Sequence, residues 1–149
     1  MVHEVKSQVN NDALSLANEL RPVLLRLARH VQRETSELGV TPGQATLLAL
    51  IGGRPGITAT ELAERERISA PGMSAHLDRL EAAGLIVRTR GTDRRRVELT
   101  LSPEGKRVLK TVRAKRSAWL AERLEGLGDD ERAAIEAAIE PLARLIEDQ

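Results

Sequence analysis

The stretch from Leu80 to Gly105, LEAAGLIVRTRGTDRRRVELTLSPEG, constrains the fold of this chain more than any other segment. A helical pattern ends at Gly84, and two short β-type runs follow it, Leu85–Arg90 and Arg95–Leu101, separated by a Gly-Thr-Asp turn. Apolar residues alternate in the second run, which is typical of a strand with one buried face. The stretch therefore predicts a helix followed by a β-hairpin, or wing.

Two capped helices precede this wing. The segment Thr58–Glu61 (TATE) has the pattern of a capping box and opens one helix, and Ser69 caps the next. Met73, Leu77 and Leu80 recur at helical spacing in the second of these helices, so they are expected to face the core. Two helices in this order, followed by a wing, predict a winged helix-turn-helix unit over residues 41–101.

The chain on both sides of this unit is also predicted to be helical. The first and last helices carry apolar stripes that are too large for one winged unit to cover, and packing against a second copy would bury them. The fold class is therefore mainly α with a small β-hairpin (α+β), with residues 1–40 and 102–149 forming long dimerisation helices. The first predicted flanking helix runs over about 12–37, with a kink at Pro22 and an end at Gly39. The next covers 42–51 after an N-cap at Thr41, and a third covers 103–126 after Ser102. The last helix is predicted to be capped by Asp129 or Asp130 and to be interrupted by Pro141.

Composition excludes several classes of function. The 149 residues include no cysteine, which excludes disulfides, thiol redox chemistry and cysteine-ligated zinc. His3, His30 and His76 stand apart, and the chain has no glycine-rich phosphate loop and no nucleophile beside a base. We therefore expect neither an enzyme nor a metal or cofactor site. Without a long apolar run or a signal-peptide core, we expect a cytoplasmic protein that does not contact a membrane.

Charge is distributed unevenly along the chain. The net charge is only +1, but residues 85–100 carry +3 and residues 101–120 carry +5, whereas residues 121–149 carry −6. Positive charge concentrated in the wing and in the helix after it favours association with a polyanion. A solvated helix face explains the six basic residues after the wing equally well. These residues are Lys106, Arg107, Lys110, Arg113, Lys115 and Arg116.

The exposed face of the second helix of the helix-turn-helix is the predicted reader of DNA. In this motif the second helix enters the major groove, where its N-terminal residues meet base edges. Ser74, His76 and Arg79 offer polar groups to bases or phosphates, whereas Ala70 and Ala75 make the face small and apolar. We therefore expect thymine-methyl contacts and DNA shape to contribute to discrimination.

The wing carries five arginines, which is more than an ordinary solvated turn needs. Arginine is favoured in a narrow minor groove because the negative potential is enhanced there. Asp93 is predicted to hold a neighbouring arginine through a bidentate pair and so to fix the tip. The residues predicted to contact DNA are Thr58, Thr60, Ser69, Ala70, Pro71, Gly72, Ser74, Ala75, His76, Arg79, Arg88, Arg90, Asp93, Arg94, Arg95 and Arg96.

At these residues the sequence resembles the MarR family of winged-helix transcriptional regulators. The combination is specific, although each piece alone is weak, and the likeness covers nearly the whole chain by length and helix order. The lack of cysteine excludes the cysteine-dependent peroxide-sensing branch of the family. The matching segments are Glu61–Ala63, Met73–Glu81, Gly84–Arg88 and, most strongly, Asp93–Arg95 followed by Leu99-Thr100 and Gly105.

The resemblance implies an obligate homodimer that straddles pseudo-palindromic double-stranded DNA, and a small-molecule pocket between the dimerisation and DNA-binding parts. Carried over by position, Ala70–Ala83 is the recognition helix and Leu85–Leu101 is the wing, with Arg94 or Arg95 entering the minor groove beside Asp93. The residues predicted to line the pocket are Leu27, His30, Val31, Leu47 and Leu48.

The sequence thus predicts a homodimeric, sequence-specific repressor of transcription that is released by a small-molecule effector. The alternative is a winged-helix module that binds protein, or an architectural DNA-binding protein without an effector response. The arginine-rich wing argues against the protein-binding module.

Overall fold

A computed structural model of the chain describes residues 10–91, 93 and 95–147. These residues form a mainly helical fold with a small antiparallel sheet, so the predicted fold class is confirmed. The helices are α1 (Asn11–Arg33), α2 (Pro42–Gly53), α3 (Ala59–Glu66), α4 (Ala70–Ala82), α5 (Pro103–Glu125) and α6 (Asp129–Arg144), and the strands are β1 (Ile57–Thr58), β2 (Ile86–Arg90) and β3 (Val97–Leu101). A short 3₁₀ turn, Ser36–Leu38, separates α1 from α2.

The hairpin of β2 and β3 gains a third strand from the loop before α3. The strand order is β1-β3-β2, and both pairings are antiparallel. Ile57 lies opposite Leu99, and Arg90 lies opposite Val97 at the outer end of the hairpin. Because β1 leads directly into α3, the sheet attaches the base of the wing to the first helix of the helix-turn-helix.

Side-chain caps fix the starts of the helices that position this unit. Gly72 N–H donates to Ser69 Oγ at 3.2 Å, as predicted for the N-terminus of α4. At α3 only half of the predicted capping box forms. Glu61 N–H donates to Thr58 Oγ1 at 3.2 Å, but the Glu61 carboxylate turns away from the cap and pairs with arginines. The arginines outcompete the backbone N–H because they carry full charge.

One apolar core holds α2, α3, α4, the sheet and the first half of α5 together. Met73, Leu77 and Leu80 of α4 are completely buried, as their spacing predicts. Leu109 and Val112 bring α5 into the same core. Burial of such aliphatic side chains contributes about 1.5–3 kcal/mol each, so this core sets the geometry of the winged unit.

The junction between the sheet and α5 is very close. A Cβ placed on Gly105 would lie 2.0 Å from the carbonyl oxygen of Leu85, so only glycine fits this position. Ser102 N–H donates to the same oxygen at 3.1 Å, and Gly105 N–H donates to Ser102 Oγ at 2.9 Å. α5 is therefore fixed against the start of β2.

The two outer helices differ from their predicted form in detail. α1 ends at Arg33, before the 3₁₀ turn and Gly39. Both outer helices continue through their proline, α1 through Pro22 and α6 through Pro141. The prediction that Asp129 or Asp130 caps α6 was wrong. Gly128 occupies the N-cap position, and Gly128 N–H donates to Glu131 Oε1 at 3.2 Å. Only the reciprocal half of a capping box forms here, since glycine has no side chain that could accept from the first N–H groups of α6.

Neither α1 nor α6 buries a single residue in the described chain. Leu16 and Leu24 of α1 and Ile135 and Ile139 of α6 are all exposed, the most exposed of them Leu16 at 64%. The structure therefore displays the apolar stripes that the sequence analysis identified. None of the described helices is long and apolar enough to cross a membrane.

Candidate nucleic-acid interface

α4 has two opposite faces with different chemistry. Its buried face packs on the core, and the other side exposes Ser74, Ala75 and Arg79, with His76 half-buried between the two. The first turn is also open, since Ser69, Ala70 and Pro71 are exposed and Gly72 is half-buried. The structure thus presents the predicted recognition surface as one continuous strip along α4.

Arg88 is not part of a free wing surface. Arg88 Nη2 lies 2.8 Å from Asp78 Oδ1, and Arg88 Nε lies 3.4 Å from Glu81 Oε2. Both acids belong to α4, so this arginine ties β2 to the recognition helix. Its guanidinium is therefore already paired within the protein, although it was predicted to contact DNA.

Arg96 is paired in the same way, but with other elements. Arg96 Nη2 donates to Glu61 Oε1 of α3 at 2.8 Å, and Arg96 Nε lies 3.7 Å from Glu98 Oε1 of β3. Arg54 Nη2 approaches the other oxygen of Glu61 at 3.5 Å. The four side chains form a cluster without net charge at the base of the wing.

The wing tip leaves Arg90 and Arg95 exposed, and among the described residues neither forms an ion pair. Asp93 was predicted to hold the side chain of a neighbouring arginine, whereas among the described residues it accepts hydrogen bonds from backbone N–H groups. Asp93 Oδ1 accepts the backbone N–H of Arg95 at 3.1 Å, and Asp93 O accepts that of Arg96 at 2.9 Å, so Asp93 fixes the backbone of the tip. Arg94, predicted to enter the minor groove, lies outside the described residues.

A cleft of about 450 Å³ lies between the start of α3 and the wing, and it brings together residues that are far apart in sequence. Thr60 is exposed at its edge, whereas Thr58 is half-buried and uses its hydroxyl as a helix cap. Two of the wing arginines, Arg95 and Arg96, are part of its lining. Its lining residues are Thr58, Ala59, Thr60, Asp93, Arg95, Arg96 and Val97.

The residues predicted to line an effector pocket lie in different surroundings in the described chain. Leu47 and Leu48 are buried in the core, while Leu27 is exposed on α1. His30 stacks on Trp119 of α5, with ring centroids 6.0 Å apart. Two of the five therefore already pack in the core, and His30 packs on an aromatic ring.

An open cavity of about 620 Å³ lies elsewhere, between the end of α2, the end of β3 and the start of α5. Apolar side chains line its inner part. Three cationic side chains of α5, Lys106, Lys110 and Arg113, lie at its edge about one helical turn apart. Nearby, Arg107 donates a hydrogen bond to Glu104, which lowers the pKa of Glu104. The lining residues are Ile51, Gly52, Gly53, Pro55, Thr100, Leu101, Lys106, Leu109, Lys110 and Arg113.

Sequence reasoning missed the acids that hold the wing. Asp78, Glu81, Glu61 and Glu98 all pair with arginines that were assigned to DNA. The pair between Glu61 and Arg96 joins residues 35 positions apart, which no local pattern reveals. One signal was available: acids near the predicted recognition helix have no role in binding a polyanion, so they need another partner.

Comparisons with known proteins agree with this architecture. Residues 38–96 match the MarR family. A helix-turn-helix-type transcriptional regulator of Mycobacterium leprae is 30% identical over 134 residues, which is 89% of this chain and 94% of that protein. The transcriptional repressor MdtR of Bacillus subtilis is 34% identical over 121 residues, 78% of each chain. A crystal structure of a Pseudomonas aeruginosa protein, described as a transcriptional regulator, superposes with a TM-score of 0.83 at 35% identity, covering 95% of this chain and 100% of that one.

Proposed function

Because this chain belongs to the MarR family of transcriptional regulators, we propose that it is a sequence-specific DNA-binding repressor that acts as a homodimer on a pseudo-palindromic operator. The observation that carries the proposal is that the strip along α4 and Arg90 and Arg95 of the wing are all exposed. A helix for the major groove and arginines for the adjacent minor groove are the two parts that such recognition needs.

Contacts on this surface divide into two kinds. Arg79 lies on the exposed strip in the last turn of α4, and we propose that its long side chain reaches a base edge, where an arginine pairs best with guanine. Arg95 lies on the wing, where it meets phosphates or the minor groove irrespective of most bases. The helix therefore selects the sequence, and the wing supplies affinity that depends on salt.

The homodimer is supported by the outer helices. Residues 1–40 and 102–149 are proposed to carry the dimer contacts, and residues 41–101 to form the DNA-binding unit. An exposed apolar stripe is costly in water, and a two-fold interface that pairs α1 and α6 with a second copy removes it. Two recognition helices then face successive major grooves about one helical turn apart.

Repression, rather than activation, is supported by the name of the Bacillus subtilis relative, which is a transcriptional repressor. The protein is proposed to act in the cytoplasm and without enzymatic activity, in keeping with the regulators that it resembles.

The cavity between α2, β3 and α5 supports release by an effector. An apolar floor with Lys106, Lys110 and Arg113 at its rim suits a small organic anion, and the cavity joins the DNA-binding unit to a dimerisation helix. Titrating the DNA complex with benzoate and octanoate tests this proposal. Release by either acid supports it, provided that Lys110→Glu weakens the response, and release that Lys110→Glu leaves unchanged contradicts this site.

In vitro selection on a random duplex library, followed by a salt titration of the selected site, tests DNA recognition. An inverted repeat whose affinity falls steeply with salt is expected. Arg95→Gln should weaken all sequences alike and lower the salt slope by about 1, whereas Arg79→Gln should lose affinity mainly for the selected site. Binding without enrichment would indicate an architectural protein, and no DNA binding at all would favour a protein-binding module.

A further inference from the structure

The carboxylate of Glu61 connects three segments that are separate in sequence. It lies in the first turn of α3 and meets Arg96 of the wing at 2.8 Å and Arg54 of the loop before β1 at 3.5 Å. We infer that Glu61 is a positioning residue, which holds the wing in the orientation that DNA requires without touching DNA itself. The inference rests on the proposed DNA binding.

The burial of Glu61 shows that these ion pairs are structural. Its side chain is 28% exposed, against 64% for Arg54 and 49% for Arg96, and its Oε2 atom is shielded from solvent without a hydrogen bond. A shielded carboxylate oxygen is costly unless cations compensate for the lost water. The two guanidinium groups provide that compensation, so removing the charge of Glu61 releases both of them.

Arg96 lies at the base of the wing tip, on its C-terminal side. Gly91 N–H donates to Arg96 O at 3.1 Å, and Arg96 N–H donates to Asp93 O at 2.9 Å, so the backbone of Arg96 closes the tip on both sides. Its side chain is held by Glu61 of α3. The Arg96–Glu61 pair therefore anchors the base of the loop that presents Arg95 to the helix-turn-helix.

The second acid of the cluster limits how far Arg96 can move. Glu98 lies in the central strand between Thr58 and Thr89. A Cβ on Gly91 would lie 3.1 Å from the Oε1 atom of Glu98, which is closer than an ordinary contact, so Gly91 leaves room for this carboxylate. When the charge of Glu61 is removed, Glu98 remains as the acidic partner of Arg96 among the described residues, with its Oε1 atom 3.7 Å from Arg96 Nε.

The sign of the effect on DNA affinity separates this role from simple electrostatics. An acid near DNA repels phosphate, so Glu61→Gln should tighten binding if charge is all that matters. A positioning role predicts the reverse, because the wing loses its orientation. Glu64→Gln is the matched control, since it removes the same charge from the exposed side of the same helix.

The experiment measures affinity and salt dependence on the selected operator for the full-length protein and its variants. We expect Glu61→Gln and Arg96→Gln each to weaken binding about threefold to fivefold, with a shallower salt slope. The double variant should be no weaker than the weaker single variant, as expected for two residues that act through one contact. Glu64→Gln should bind as tightly as the unaltered protein or slightly more tightly.

Amide exchange provides a readout that is independent of DNA and of global stability. Glu61→Gln should speed exchange at Gly91, whose N–H closes the wing, while leaving exchange in the α4 core unchanged. Tighter binding by Glu61→Gln, additive losses in the double variant, or unchanged exchange at Gly91 would overturn the inference. If Arg95→Gln weakens binding while Glu61→Gln does not, the inference alone fails; if the unaltered protein binds no DNA, both proposals fail.

Discussion

Replacing Gly105 by alanine tests the close junction between α5 and the sheet. The new Cβ would lie 2.0 Å from the carbonyl oxygen of Leu85 and 2.9 Å from its carbonyl carbon. Both are backbone atoms, so α5 and the start of β2 must separate by at least about 1 Å, and the bond from Ser102 N–H to the same oxygen is strained. Overpacking of this kind costs about 1–3 kcal/mol and a weakened hydrogen bond about 1 kcal/mol.

Alanine also favours a helix over glycine, by up to about 1 kcal/mol. The net loss for Gly105→Ala is therefore about 2 kcal/mol in the free energy of unfolding. For a chain of this length that lowers the melting temperature by roughly 4–8 °C. Gly53→Ala is the matched control, because Gly53 ends α2 with no atom within 4 Å of the added methyl group. It should stabilise the protein by about 0.5 kcal/mol.

Urea unfolding at one fixed protein concentration measures both variants, since the stability of a dimer depends on concentration. Opposite signs for the two substitutions support the described junction. A Gly105→Ala protein as stable as the unaltered one would refute the reasoning, because helix propensity alone predicts that both substitutions stabilise.

Three other predictions concern the cap, the core and the assembly. Ser69→Ala removes the acceptor for Gly72 N–H and should cost about 1 kcal/mol in urea unfolding, and a stability unchanged by the substitution would contradict the cap. Leu77→Ala should cost about 2–5 kcal/mol by the same assay, because Leu77 is completely buried. Ile139→Asp on α6 should shift the dimer to monomers in sedimentation equilibrium, whereas Val87→Asp, on an exposed residue of the wing, should not. Equal effects of the last two would place the interface elsewhere.

The local parts of the fold were predictable from the sequence. Periodicity located the buried face of α4, and the alternation of apolar residues located β3, because both signals depend on neighbours within one element. Caps formed by a serine or threonine, such as Ser69, were found for the same reason. Gly128 was missed because glycine has no side chain that could accept from the first N–H groups of the helix, so the usual N-cap signal is missing.

The electrostatics of the candidate interface were not predictable in the same way. A count of arginines treats all of them as free, but Arg88 and Arg96 are neutralised by acids from α4, α3 and β3. The pairing arises from tertiary contacts between residues separated by 10 and 35 positions. The burial of Leu47 and Leu48, which were predicted to line an effector pocket, likewise depends on tertiary packing.

Because Gly105 packs directly against the backbone of Leu85, a rotation of α5 is expected to move the winged unit with it. The helix spans 23 residues, which is about 34 Å at 1.5 Å per residue, and its first turns are fixed to the winged unit through Gly105, Leu109 and Val112. A rotation of about 5° at its far end would carry the winged unit by about 3 Å, close to the ~3.4 Å rise of one base pair along DNA. In the proposed dimer, the spacing of the two recognition helices therefore depends on the angle at which α5 crosses the interface.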